Sequence, residues 1–318
     1  MEPFLPSPMA NASACVHFFD GVCIQSTDVP WYYSDKPSLV DGFNDHHLAL
    51  AAPVLAYWFS SLAFHYLDTR DWKVLERYRI HDSTEAVSRN RVSRAAVVWA
   101  VIFQQVLQTV LGLIWMQDEH TVVNHVEKVA VISRWLAVVP GLAGSQAPLA
   151  YFAYWWGIPL FQFLVAIFTI DTWQYFLHRY MHMNKFLYRH FHSWHHRLYV
   201  PYAFGALYNH PVEGFMLDSL GTVVAESLSG MSIRQAALLF SIATFKTVDD
   251  HCGYRLPFDP LQMMSSNNAD YHDIHHQKIG IKHNFAQPFF VHWDYLLGTQ
   301  MTRQDMERRR QSTRDKLE

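Results

Sequence analysis

Three histidine clusters constrain this chain more than any other feature. They are His178-Arg179-Tyr180-Met181-His182, His192-Ser193-Trp194-His195-His196 and His272-Asp273-Ile274-His275-His276. As patterns they read HxxxH, HxxHH and HxxHH. Residues at i, i+3 and i+4 share one face of a helix. Packed imidazoles cannot all stay protonated, because two unit charges about 4 Å apart repel by roughly 4 kcal/mol at an effective dielectric of 20. Neutral imidazoles each need a partner for the bare ring nitrogen, and a divalent metal supplies it. The clusters offer eight histidines, too many for one tetrahedral zinc, so two ions are expected. His210 in Asn209-His210-Pro211 and His251 in Asp249-Asp250-His251 extend the candidate ligands to ten. Asp171, Asp249, Asp250, Asp270 and Asp273 flank the clusters. They suit a supporting role, accepting the second ring N–H of a ligand and so fixing its tautomer.

Ligand type alone leaves the metal open, since imidazole suits Fe, Zn, Cu and Ni alike. Soluble di-iron bundles use Glu-x-x-His pairs, and zincin proteases use HExxH; neither pattern occurs in this sequence. Cys252 lies beside His251 but lacks the context of a haem-thiolate ligand. A net charge of -3 gives no basic excess for nucleic acid.

The setting is a membrane. Half of the 318 residues are hydrophobic and only 17% are charged, against about 25% in soluble domains. Three apolar runs approach the roughly 20 residues needed to span a bilayer: Leu48 to Leu67, Ala95 to Trp115 and Tyr151 to Ile170. Val129 to Leu142 is too short and is expected at the interface. The loop between the first two runs holds Arg70, Lys73, Arg77, Arg79, Arg89, Arg91 and Arg94, whereas residues 1–47 hold only Lys36. The positive-inside rule therefore puts that loop in the cytosol and the amino-terminal arm in the lumen. Three crossings then bring the histidines to the cytosolic side. A lumenal arm would let Cys15 and Cys23 pair and would expose the Asn11 sequon.

The expected fold is all-α and integral to the membrane, with three to four transmembrane helices and a helical cytosolic cap carrying a histidine-rich di-metal site. The expected divisions are a lumenal arm (1–47), spans and loops (48–170), a histidine-box domain (171–300) and a charged tail (301–318). Within the third, a helical hairpin at about 215–248 is expected to dip into the bilayer.

The run Asp171-Thr172-Trp173-Gln174-Tyr175-Phe176-Leu177-His178 with Arg179 to His182 resembles the first histidine box of the membrane fatty acid hydroxylase/sterol desaturase superfamily. His192–His196 and His272–His276 resemble its later boxes. Asn209-His210-Pro211-Val212-Glu213 and Asp250-His251-Cys252-Gly253-Tyr254 resemble its intervening signatures, and Asn284-Phe285 and Trp293 to Thr299 its closing ones. Amino-terminal motifs such as Phe64-His65-Tyr66-Leu67-Asp68 and Tyr78-Arg79-Ile80-His81 are similar to the fungal sphinganine 4-hydroxylase branch.

The resemblance implies a di-iron monooxygenase of the endoplasmic reticulum that hydroxylates carbon 4 of sphinganine or dihydroceramide. It also implies dioxygen and electrons from NADH or NADPH, delivered through cytochrome b5 and its reductase. No Gly-x-Gly-x-x-Gly is present, which fits an external donor. Two alternatives stay open: oxidation of a sterol by the same chemistry, or a non-enzymatic metal-binding or transport protein. A transporter would carry its histidines inside the spans.

Overall fold

The computed structural model describes residues 29–70, 72–115, 123–142 and 144–316, and the backbone alone of 15–17 and 23–25. Asn11 and the side chains of Cys15 and Cys23 lie outside the described residues. By backbone register Cys15 pairs with Gln25 and Cys23 with His17, in a two-stranded antiparallel hairpin of β1 (Cys15–His17) and β2 (Cys23–Gln25). This hairpin is the exception in a helical chain.

The chain forms two compact units. One comprises Met1–Leu39 and Asp118–Gln162, the other Val40–Gln117 and Phe163–Glu318. Among the described residues three helical stretches are long and apolar enough to cross a membrane: Asp45–Asp68, Arg94–Trp115 and Gln146–Met183. The all-α membrane fold expected from the sequence is the fold observed.

In the second unit, α1 (Asp45–Asp68) starts at Asn44, whose side chain accepts from the His46 N–H at 2.8 Å. That bond satisfies one of the donors a helix start leaves open. The second spanning helix, α2, runs Arg94–Trp115. In the first unit, α3 (His125–Ala137) covers the segment expected at the interface. His125 there stacks with Tyr33, Tyr154 and Trp155, and its Nδ1 lies 2.7 Å from the Tyr154 hydroxyl. The third span ends in α4 (Ile158–Met183), which runs past the apolar stretch to include both histidines of the first box.

In the region of the expected hairpin lie α5 (Leu220–Ser229) and α6 (Ile233–Asp250). Gly230 ends α5 in the left-handed region, φ 61°, a conformation glycine adopts at little cost. Ser232 and Gln235 then start α6 with a reciprocal capping box. Helix α6 packs along α1, with Arg234 Nε 2.6 Å from Asp45 at one end and Phe245 against Phe59 toward the other. The two helices therefore run in the same direction. Tyr57 of α1 is fully buried, and its hydroxyl donates to the Phe204 carbonyl at 2.8 Å. Around it Val97, Val101, Leu198, Tyr208 and Val248 make the core beneath the histidines.

The third histidine box lies on α7 (Ala269–His276), and the tail forms α8 (Arg303–Arg314). The tail is expected to be a solvated helix or a disordered end, yet it is tied to α7. Met306 is buried with Ile274 and Met301, and Arg303 bridges Asp270 and Asp273 at 2.6 and 2.8 Å. The arginine-rich loop also docks here, through His81 Nε2 at 2.7 Å from Asp273.

Gly280 is the tightest point in this assembly. A Cβ there would sit 1.8 Å from the Ile274 carbonyl oxygen, a backbone atom of α7. Replacing Gly280 with Ala should cost about 3 kcal/mol, by overpacking against backbone that cannot yield. A melting curve of the detergent-solubilised protein checks this, and an unchanged midpoint would contradict the packing.

Candidate metal centre

The site starts from four segments that each present imidazoles inward. Helix α4 contributes His178 and His182, one turn apart. The second box is not α-helical: it sits on a π-turn (Tyr188–His192) and a 3-10 turn (His195–Arg197). Helix α7 contributes His272, His275 and His276, and His251 caps the end of α6.

Together they form two groups whose ligand atoms lie within 4.8 Å of one another. One is His178, His182, His192, His196 and His275; the other is His195, His251, His272 and His276. Each HxxHH motif is thus divided. Its i and i+4 residues enter one group and its i+3 residue enters the other, so the two groups are interlocked by both motifs.

Outer hydrogen bonds fix the ring orientations. The Nδ1–H of His178 donates to the Phe285 carbonyl at 2.8 Å, His275 to His283 at 2.7 Å, and His276 to Leu198 at 2.7 Å. His251 donates to Thr247 at 2.7 Å and His195 to Tyr208 at 3.3 Å. His192 Nδ1 pairs with the Glu213 carboxylate. With the proton on Nδ1, each Nε2 is a bare lone pair. Those lone pairs face each other: His178 and His192 at 3.1 Å, His195 and His251 at 3.4 Å. Such pairs cannot hydrogen-bond to one another. Protonation does not relieve them either, because burial pushes His192 down to about 3, His195 to about 4 and His251 to about 3. His275 Nε2 is buried with no partner at all. Converging, neutral, unprotonated nitrogens in a buried site are the donor set a transition metal requires. The residues fit a metal centre.

His210 belongs to neither group, contrary to its expected role. It precedes Pro211 as a helix N-cap: its Nδ1 accepts from the Val212 N–H at 3.2 Å, and its ring packs against Phe191 and Trp194. Cys252 is buried, and its Sγ–H donates to the Tyr254 carbonyl at 3.3 Å.

The flanking aspartates have other partners than the imidazoles. Asp171 accepts from the Phe289 and Phe290 N–H groups at 3.0 and 2.9 Å, fastening that loop to α4. Asp249 accepts from Gln262 at 2.9 Å, and Asp250 pairs with the buried Lys246. Asp270 and Asp273 hold Arg303. The carboxylate that does reach a histidine of the two groups is Glu213, fully buried and absent from the sequence-derived candidates. Its signal was its place in the His210–Glu213 signature. Asp294 acts one step further out. It accepts from the Phe285 and Ala286 N–H groups at 3.0 and 2.7 Å, and so positions the carbonyl that holds His178.

These placements separate ligands from supports. Replacing His275 with Ala should strip most of the metal, and Glu213 with Gln should weaken its retention about 10- to 100-fold. Replacing His210 with Ala should leave the metal content near wild type. Elemental analysis of the purified variants decides each case; loss of metal on removing His210 would restore it as a ligand.

Comparison with known proteins agrees with this geometry. Residues 163–299 match the fatty acid hydroxylase family. A sphingolipid C4-hydroxylase of Saccharomyces cerevisiae is 51% identical over 83% of this chain and 74% of its own. A sphinganine C4-monooxygenase of Arabidopsis thaliana is 45% identical over 80% of this chain and 88% of its own. A very-long-chain aldehyde decarbonylase of Oryza sativa is 43% identical over 86% and 92%. No solved structure matches the chain at a significant level. With half of its aligned positions shared with a C4-hydroxylase and its imidazoles arranged for a metal, the chain belongs to the fatty acid hydroxylase family and is an oxidoreductase.

Proposed function

We propose that this protein hydroxylates carbon 4 of a sphingoid chain, sphinganine or dihydroceramide, giving phytosphingosine or phytoceramide. One observation carries the reading. A cavity of about 660 Å³ is walled by the apolar faces of α1, α2, α4, α5 and α6, and it reaches His178, His192, His195 and His251. A lipid tail fits between the helices while a carbon near its polar end meets the histidines. The activities named for the yeast and Arabidopsis relatives support this substrate.

Two iron ions are the expected occupants, one held by His178, His182, His192, His196 and His275, the other by His195, His251, His272 and His276. Bound there, iron supplies the activation of dioxygen that an unactivated methylene requires. The overall balance consumes one dioxygen, two electrons and two protons, and yields the alcohol and one water. NADH or NADPH is the source of the electrons, through cytochrome b5 and its reductase. The chain's own part is to hold the carbon in place and to exclude water and other carbons. Leu50, Val54, Leu217 and Phe240 on the cavity wall serve that exclusion.

The protein resides in the endoplasmic reticulum membrane, its arm (1–47) lumenal and its histidine domain (171–300) cytosolic. The hairpin at 215–248 enters the bilayer; the parallel packing of α6 on α1 supports that depth. The tail (301–318) lies in the cytosol.

Expression in a yeast strain without its own C4-hydroxylase tests the reading. Phytosphingosine should reappear with the wild type and stay absent with His275→Ala, as lipid mass spectrometry would read. Normal insertion with unchanged phytosphingosine and altered sterols would sink it. For the topology, the arm should resist protease added to sealed microsomes, and digestion there would reverse the orientation.

A further inference from the structure

The cavity that reaches the histidines is not uniformly apolar. Asp218, on the π-turn Phe215–Ser219, stands on its wall. The neutral side-chain amides of Gln104 and Gln174 donate to it at 3.4 Å each, which is long for a hydrogen bond. Among the described residues that line the cavity there is no Lys and no Arg. A carboxylate enclosed by apolar helices is costly unless a cation joins it.

The surroundings are built for a polar guest. Gln104 is 1% exposed, yet its Oε1 has no partner. It reaches this position because Gly214 lacks a side chain; a Cβ there would meet Gln104 Nε2 at 2.4 Å. Glu213 Oε2, on the same wall, is also buried without a partner. Hydrogen bonds of the i→i+5 type in the π-turn bring Asp218 about one helical turn, roughly 5.4 Å, from Glu213. Glu213 in turn holds His192.

Substrate chemistry selects among the acids. In a sphingoid base the C2 nitrogen is three bonds from carbon 4. When carbon 4 lies at the histidines, the nitrogen lies within a few ångström of them. Asp218 lines the same cavity as the histidines and follows Glu213 by about one turn, whereas Glu226 stands about two turns further along α5. We propose that Asp218 is the counter-ion for the C2 ammonium of a free sphingoid base, so that the unacylated amine is preferred over its N-acyl form. This rests on the sphingoid reading above. An N-acyl amide has no charge to offer and leaves the carboxylate without a cation. The unpartnered Oε2 of Glu213 on the cavity wall is an acceptor for a neighbouring hydroxyl.

The test compares sphinganine with N-acetylsphinganine on the full-length protein in microsomes lacking any other C4-hydroxylase. The wild type should favour sphinganine in kcat/KM by roughly tenfold or more, as a charge-assisted contact implies. Asp218→Asn should erase that preference, mainly through a raised KM for sphinganine, and Asp218→Glu should keep part of it. A wild type that favours N-acetylsphinganine, or an Asp218→Asn protein with an unchanged preference, overturns the proposal. A second measurement needs neither variant nor turnover: octadecylamine should raise the melting temperature of the purified wild type more than N-acetyloctadecylamine does. Equal shifts overturn the proposal even where Asp218→Asn fails to accumulate. If the wild type hydroxylates neither sphingoid but still responds to the amine alone, the proposed function fails while the ammonium site stands.

Discussion

Bare imidazole nitrogens held face to face are the constraint on which this structure depends. Left to themselves, His178 and His192 would turn apart, because two lone pairs at 3.1 Å repel. They are kept together by outer bonds from Nδ1–H to fixed acceptors, chiefly backbone carbonyls. Those carbonyls are themselves held: Asp294 binds the N–H of Phe285, and the Phe285 carbonyl binds His178. These lone pairs would be taken up by a metal ion bound among them. The folded chain without such supports would have no reason to bury nine histidines in one place.

The supports come from distant parts of the sequence. Leu198 and Tyr208, in the turns over the Tyr57 core, supply carbonyls to His276 and His195. The arginine-rich loop and the tail brace α7 through His81 and Arg303. Polar and charged residues thus surround the imidazoles on one side. On the other the long apolar helices leave a cavity whose wall is mostly apolar, and His178, His192, His195 and His251 line it.

Much of the site was legible before folding was considered. Imidazoles at i, i+3 and i+4 are rare and costly, so the three boxes stood out, and His251 was recognisable beside its aspartates. Proximity in sequence does not set proximity in space: the carboxylates of Asp171, Asp249, Asp250 and Asp270 turn to backbone amides, Gln262, Lys246 and Arg303. His210 stands outside both groups, since a histidine before a proline also makes a good N-cap. Glu213, three residues later, points to His192 because the short helix begun by Pro211 turns it inward.

By itself the sequence determined that the chain is helical and embedded in a membrane, because apolar runs of span length have no other stable home. It also marked the histidines as a candidate metal site, because so many imidazoles at helical spacing cannot remain charged. Only the tertiary structure decided how they divide. Each HxxHH segment sends its i+3 imidazole to the group opposite its i and i+4 partners, from turns in the second box and from regular helix in the third, and spacing along the chain does not record which segments come to face one another. The placing of Asp218 opposite an apolar cavity was likewise decided in three dimensions, where the faces of five helices meet.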